Sequence, residues 1–245
     1  MNPAPVNLTF LEDAGIHVVS CSEHDIVVIK PAGMATELTT DPKWVSLISK
    51  IRQAATDHVR PRLVHRLDRV TRGIIVVSLT KDAAAFYGEQ IREGMWDKYY
   101  LARIPSPEPN KNPLHTYLVG KHKAYLKEKD GHAVIVRSGG KASFMEILAI
   151  DRAPNTPGQS HVLIKLLTGR LHQIRIMLAG LGLPLIGDDL YRGIPGEMYL
   201  EHAALRYVDC TTRDMRVAYM NEDPNREKIG SAVLRALEKE LKKKF

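Results

Sequence analysis

Directly behind a turn rich in arginine stands an apolar, β-branched run, Gly73 to Leu79 (GIIVVSL). Such a run fits a central strand covered on both faces. The turn before it, Arg60 to Gly73 (RPRLVHRLDRVTRG), cannot be buried the same way. Within a few residues the chain must therefore pass from a strongly cationic edge into a filled sheet. Arginines 60, 62, 66, 69 and 72 surround one acid, Asp68. A carboxylate in that field is held ionised by its guanidinium neighbours and is available as a nucleophile or base near neutral pH. The same residues also fit a surface turn in which Asp68 caps the backbone or pairs with an arginine.

Other segments arrange themselves around that strand. Residues 16–20 and 26–30 read as strands, the second closed by Pro31-Ala32-Gly33. Trp44, Leu47, Ile48, Ile51 and Ala55 recur at helical spacing and predict a helix over 43–57. Thr80 is an N-cap candidate for a helix through Phe86, Tyr87 and Ile91 that stops at Gly94. A strand is expected over 98–104. Residues 105–113 (PSPEPNKNP) hold four prolines and predict a loop. Hairpins are expected over 114–150, where Lys121, Lys123, Lys127 and Lys129 sit among Tyr117 and Tyr125. That stretch fits either a solvated hairpin face or a surface for a nucleic acid. A strand over 161–167 leads to a helix over 172–180. From Asn225 to Phe245, seven Lys/Arg against three Glu accompany a stripe of Ile229, Val233, Leu237 and Leu241, which predicts a basic amphipathic helix. It fits both a lysine-bearing arm for phosphates and a solubilising terminal helix.

Composition enters at the level of partners. Lys+Arg 35 against Asp+Glu 28 gives +7 over 245 residues, a weak pointer to a polyanion. Cys21 and Cys210 alone give no disulfide framework and no paired-cysteine zinc spacing, and both are expected as buried apolar residues. Ten histidines occur without an HExxH spacing, so no metal is expected. Neither a GxSxG elbow nor a phosphate-binding glycine loop is present. Glu12 and Asp13 interrupt any leader-like apolar stretch, and no apolar run approaches the roughly 20 residues of a membrane span, so a membrane-free protein, cytoplasmic or soluble within an organelle, is expected. A second cationic cluster, Thr168 to Arg175 (TGRLHQIR), follows a predicted strand and opens a helix. It reads as a phosphate or carboxylate site, or as a turn with solvated arginines.

The two clusters belong to a larger pattern. His65-Arg66-Leu67-Asp68-Arg69-Val70-Thr71-Arg72-Gly73 resembles the HRLDxxTSG signature of RNA pseudouridine synthases of the RluA class. Lys30 to Met34 resembles the KPAG box of that family, and Lys98 to Ala102 its KxYLA strand. TGRLHQIR, followed by Gly182 to Tyr191 (GLPLIGDDLY), resembles its TGRxHQIR and GHPxxGDxxY segment. These boxes occur in family order over roughly residues 16–208.

The resemblance implies an α+β fold with a mixed, mostly antiparallel central sheet flanked by helices and loops. It implies a catalytic domain over 1–224 without an appended N-terminal RNA-binding module, followed by the basic helix of 225–245. Asp68 is then the catalytic nucleophile, which reacts with a flipped-out uridine while the base detaches from C1′, rotates and rejoins through C5. Tyr100 stacks on the base and helps remove the C5 proton. Arg175 salt-bridges the aspartate, and Arg66 fills the gap left by the flipped base. His65 and Arg170 complete the two signatures and are expected at the substrate. The partner implied is ribosomal or transfer RNA acted on by a monomer, with no metal and no cofactor, since an isomerisation needs neither oxidant nor water. Arg72 departs from the family serine and adds a cation beside Asp68.

Two other classes fit parts of the sequence. His172 to Arg175 with Tyr199 or Tyr207 as nucleophile imitates a tyrosine recombinase, but leaves Asp68 and the KPAG box without a role. A non-catalytic RNA-binding or chaperone relative would keep the boxes and lose the dependence on Asp68.

Overall fold

Local chemistry sets the element boundaries in this computed structural model, which describes residues 5–41, 43–106, 118–220 and 226–243. Asn7 opens α1 (Leu8–Asp13), its Oδ1 accepting from the Phe10 amide at 3.1 Å. Strands β1 (His17–Cys21) and β2 (Asp25–Lys30) follow. The predicted helix over 43–57 is shorter than its apolar stripe: α2 spans Leu47–Ala54. Ser46 is extended and its Oγ accepts from the Ser49 amide at 3.2 Å, so the hydroxyl starts the helix there and leaves Trp44 outside it. Next come β3 (Arg62–Leu63), β4 (Arg72–Ser78) and α3 (Lys81–Arg92), the last capped by Thr80 as expected. The remaining elements are β5 (Asp97–Pro105), β6 (Gly120–Lys129), β7 (His132–Ile135), β8 (Lys141–Arg152), β9 (Gln159–Leu166), α4 (Gln173–Gly180), a 3-10 turn at Asp189–Tyr191, β10 (Leu200–Val208), β11 (Met215–Tyr219) and α5 (Ser231–Leu241). Residues 107–113 of the proline loop, and Tyr117, lie outside the described residues.

The chain divides into two compact units, Met1–Trp96 with His202–Asn221, and Asp97–Glu201 with Glu222–Phe245. In the first, β1, β2, β4 and β10 lie side by side, β11 extends β10, and β3 also pairs with β4. The β1–β2, β2–β4, β3–β4 and β10–β11 ladders are antiparallel. Ile74 to Ser78 is fully buried, as the apolar run requires. One layer of core joins Val27, Ile74 and Val76 to Tyr87, Trp96 and Tyr207. Buried Asp25 ties the layer down by accepting from the Tyr87 hydroxyl. Gly73 is obligatory for two reasons: its φ is +125°, and a Cβ there would stand 2.4 Å from the His202 carbonyl oxygen. Both cysteines are half-buried rather than buried; Cys210 packs at the rim of this core.

The second unit is an antiparallel sheet in the order β5, β9, β8, β6, β7. α5 lies on it with Val233 and Leu237 fully buried. Its N-cap, Gly230, brings no capping side chain, so the sheet supplies one. Gly230 N donates to His161 Nδ1 at 3.2 Å, and Ala232 N to Asp151 Oδ2 at 2.8 Å. A Cβ at Gly230 would meet Asp151 Cβ at 2.8 Å, so glycine permits the approach. Glu227 locks the same end, accepting from Arg103 Nη1 at 2.5 Å and pairing with His161 Nε2 at 2.6 Å. The basic C-terminal helix is therefore part of this unit's core.

Candidate active site

In the first unit the KPAG box and the arginine-rich turn form one clip. Thr36 Oγ1 donates to the Leu67 carbonyl at 2.7 Å and accepts from its amide at 3.2 Å. Gly33 N donates to the Arg69 carbonyl at 2.8 Å, and Thr71 N to the Asp68 carbonyl at 3.0 Å. Lys30 is fully buried beneath the loop and gives its three amine hydrogens to the carbonyls of Pro31, Met34 and Arg69, at 2.8, 2.8 and 3.3 Å. Burial pulls its pKa down to about 7, while the charge of Asp68 pushes it up and that of Arg69 pulls it down. Three carbonyl acceptors match the three donors of an ammonium, so the cage itself favours the charged form. Asp68 thus sits, half-buried, in a backbone frame fastened from both neighbours and above a buried amine.

The flanking groups Arg66, Arg69 and His65 also have contacts of their own. Arg66 is exposed and ion-pairs with Glu37. Arg69 lies 4.0 Å from the ring centroid of Trp44, itself 41% exposed. His65 Nε2 accepts from the Val76 amide at 3.0 Å, and its ring meets Trp96 and His202 edge-on at 5.2 and 5.9 Å. That nitrogen serves strand β4.

In the second unit Gln173 holds the TGRLHQIR turn. Its Oε1 accepts from Thr168 Oγ1 at 2.8 Å and from Arg170 N at 3.1 Å, and its Nε2 donates to the Phe144 carbonyl at 2.9 Å. Arg170 is left exposed at the rim. His172 adopts a left-handed conformation, φ +49°, and pairs through Nδ1 with the Tyr191 hydroxyl at 2.9 Å. One turn later Arg175 is buried and gripped by Asp188, Nε to Oδ2 at 2.8 Å and Nη2 to Oδ1 at 2.7 Å. Tyr100 is buried on β5 opposite Ile164, and Lys98 before it has its pKa lowered by burial. Neither tyrosine that a recombinase would need is poised as a nucleophile. Tyr199 and Tyr207 are buried, and burial raises both phenol pKa values.

The sequence marks the two loops but not their supports. Asp188 lies inside the GDD segment with no signal of its own, and Thr36, Glu37 and Gln173 carry none that is separable from their surroundings. Trp44 falls on the apolar stripe of α2 although it lies outside that helix.

A family model described as RNA pseudouridylate synthase matches residues 24–180. The dual-specificity RNA pseudouridine synthase RluA of Salmonella typhi is 32% identical over 171 residues, 69% of this chain and 74% of that protein. The ribosomal large subunit pseudouridine synthase D of Pseudomonas aeruginosa is 28% identical over 185 residues, 74% of this chain and 55% of that protein. In fold, the chain is similar to human RNA pseudouridylate synthase domain containing 1, with a TM-score of 0.70 at 23% identity over 100% of this chain and 98% of that one. The architecture is that of the pseudouridine synthases, α+β as expected. The chain belongs to the RNA pseudouridine synthase family. It is an isomerase that converts uridine in RNA to pseudouridine.

Proposed function

We propose that Asp68 is the nucleophile of this isomerisation and that the target is a uridine in ribosomal or transfer RNA, modified by a cytoplasmic monomer. The observation that carries the reading is the Asp68 loop itself. Backbone clips from Thr36, Gly33 and Lys30 fix a half-buried carboxylate in an arginine-rich turn, which is pre-organisation a surface turn does not need. The names of the relatives, one dual-specific and one ribosomal, support the choice of RNA.

The uridine leaves its stack at a penalty of a few kcal/mol, offset by Arg66 in the vacated space and by phosphate contacts at Arg170. The Asp68 carboxylate reacts with the flipped nucleotide as the N1–C1′ bond breaks. The base turns, C5 bonds to C1′ and the carboxylate is released. C5 loses one proton and N1 gains one, so the product is an isomer and no other reactant is consumed. Tyr100 stacks on the base and assists loss of the C5 proton. Arg175 contributes a fixed positive charge to the site, and His65 positions the loop.

The test is Asp68→Asn with RNA tritiated at uridine C5, whose release into water reports the reaction. The expected result is no release above background with RNA binding retained, because one carboxylate removed from a cationic loop does not weaken phosphate contacts. Persistent release would move the chemistry elsewhere.

A further inference from the structure

Among the described residues, α5 leaves one end of the second unit's sheet uncovered, and that end forms a platform of rings and ammonium groups. Register defines it. Lys121, Glu146, Lys165 and Tyr99 form one row across β6, β8, β9 and β5. Lys123 and Phe144 are partners in the next row, and Tyr125 and Ala142 in the one after. α5 occupies the same face: its first turn is capped from His161 and Asp151, and Tyr99 donates to Glu240 near its other end at 3.4 Å. Leu241 ends the helix, and the Phe144 and Tyr125 rows lie past it.

Those rows are apolar in a way that folding does not explain. Phe144 is 37% exposed, Tyr125 40% and Leu167 42%, and the Leu167 amide donates to the Phe144 carbonyl at 3.2 Å, continuing that row. Lys123 Nζ stands 4.9 Å from the Tyr125 ring centroid and 5.6 Å from that of Phe144. Lys121 and Lys127, exposed on the same face of β6, flank them. Two ring faces on adjacent strands, diagonal to each other and bordered by cations, match a chain of planar groups joined by anions.

We propose that this face is an exosite for a single-stranded segment of the RNA substrate, two bases stacking on Phe144 and Tyr125 while the lysines take the phosphates. The proposal rests on the chain acting on RNA. Tyr100, next to Tyr99 on β5, faces the opposite side of the sheet, so the exosite is separate from the base-stacking tyrosine proposed for catalysis. It governs affinity and not the chemical step.

The full-length chain is titrated with fluorescein-labelled oligouridine at several salt concentrations, and tritium release is measured in parallel. Phe144→Ala with Tyr125→Ala is expected to weaken binding about tenfold or more, since each stacked base contributes that order. Lys121→Glu with Lys123→Glu is expected to flatten the salt dependence by about 1.4 or more in the slope of log K against log salt. Both pairs should keep the wild-type melting curve and tritium release at saturating RNA, and Asp68→Asn should keep wild-type affinity. Unchanged binding in both pairs overturns the exosite even if Asp68→Asn abolishes release, in which case the catalytic reading stands alone. Failure of the wild-type chain to bind oligouridine also overturns it. So does self-association without RNA that the Phe144 and Tyr125 substitutions abolish, since the face would then belong to a second copy of this chain.

Discussion

The two arginine-rich turns are similar in sequence and opposite in construction. In the HRLDR turn the guanidinium groups are at the surface: Arg66 and Glu37 have side chains 60% and 50% exposed, and Arg69 rests on Trp44. In the HQIR turn Arg175 and Asp188 are 8% and 0% exposed and share a two-point contact. An exposed pair contributes about 0–1 kcal/mol and is easily exchanged for a phosphate. A buried two-point pair is a fixture, because freeing either partner leaves a charge without solvent. The first turn can therefore offer cations to RNA, whereas the second holds one cation still.

The largest expected effect comes from breaking the fixture. Asp188→Asn takes from buried Arg175 the charge of the carboxylate that grips it at two points and should lower stability by about 3–5 kcal/mol, read from denaturant unfolding. Replacing both residues by apolar ones, Arg175→Met with Asp188→Leu, should recover most of that stability and none of the tritium release. Recovery of both would show the pair to be purely structural.

A smaller effect belongs to Lys30, which sharpens the comparison because it is a buried cation beneath the turn that carries the exposed arginines. Lys30→Met strips donors from three carbonyls and should reduce stability by about 1–3 kcal/mol. The pH dependence has a definite sign. With a folded pKa of about 7 and an unfolded value of about 10.4, both states hold the proton below pH 7 and the folded state bears the full burial penalty. Between those values the folded protein releases a proton that the unfolded chain keeps, so stability rises with pH. Lys30→Met should remove most of that rise; Lys98, also lowered by burial, leaves a remnant. An unaltered profile would mean that the ammonium stays charged in its carbonyl cage.

How much of this was legible depended on whether a residue's role is local. The GIIVVSL strand, the Thr80 cap and the stripe of the C-terminal helix follow from periodicity and a hydroxyl, and the structure has them. α1, β10 and β11 carried no pattern distinct enough to predict. β10, LEHAALRYV, is buried along almost its whole length, and its Glu201, His202 and Arg206 break any apolar signature. That Asp68 matters was readable from the resemblance. The frame that holds it was not, because Thr36 and Leu67 are 31 residues apart and Lys30 and Arg69 are 39 apart, and single-sequence patterns do not report such pairings. The C-terminal helix shows the same limit: its stripe predicts amphipathicity, but only the sheet reveals that His161 and Asp151 cap it.

The smallest expected effect tests the exposed turn. Glu37 holds Arg66, the arginine proposed to fill the space of the flipped base, through an ion pair at the surface. If that arginine exchanges its carboxylate for RNA, Glu37 is a competitor of the substrate. Glu37→Ala should then leave stability within about 0.5 kcal/mol of wild type while tightening RNA binding by up to about fivefold at low salt, a gain that fades as salt rises. Arg66→Ala should also spare stability but weaken binding, and the double variant should behave as Arg66→Ala, because Glu37 competes only through that side chain. A double variant that binds as tightly as Glu37→Ala would show that Arg66 does not engage the RNA, and that Glu37 acts by repelling phosphates directly.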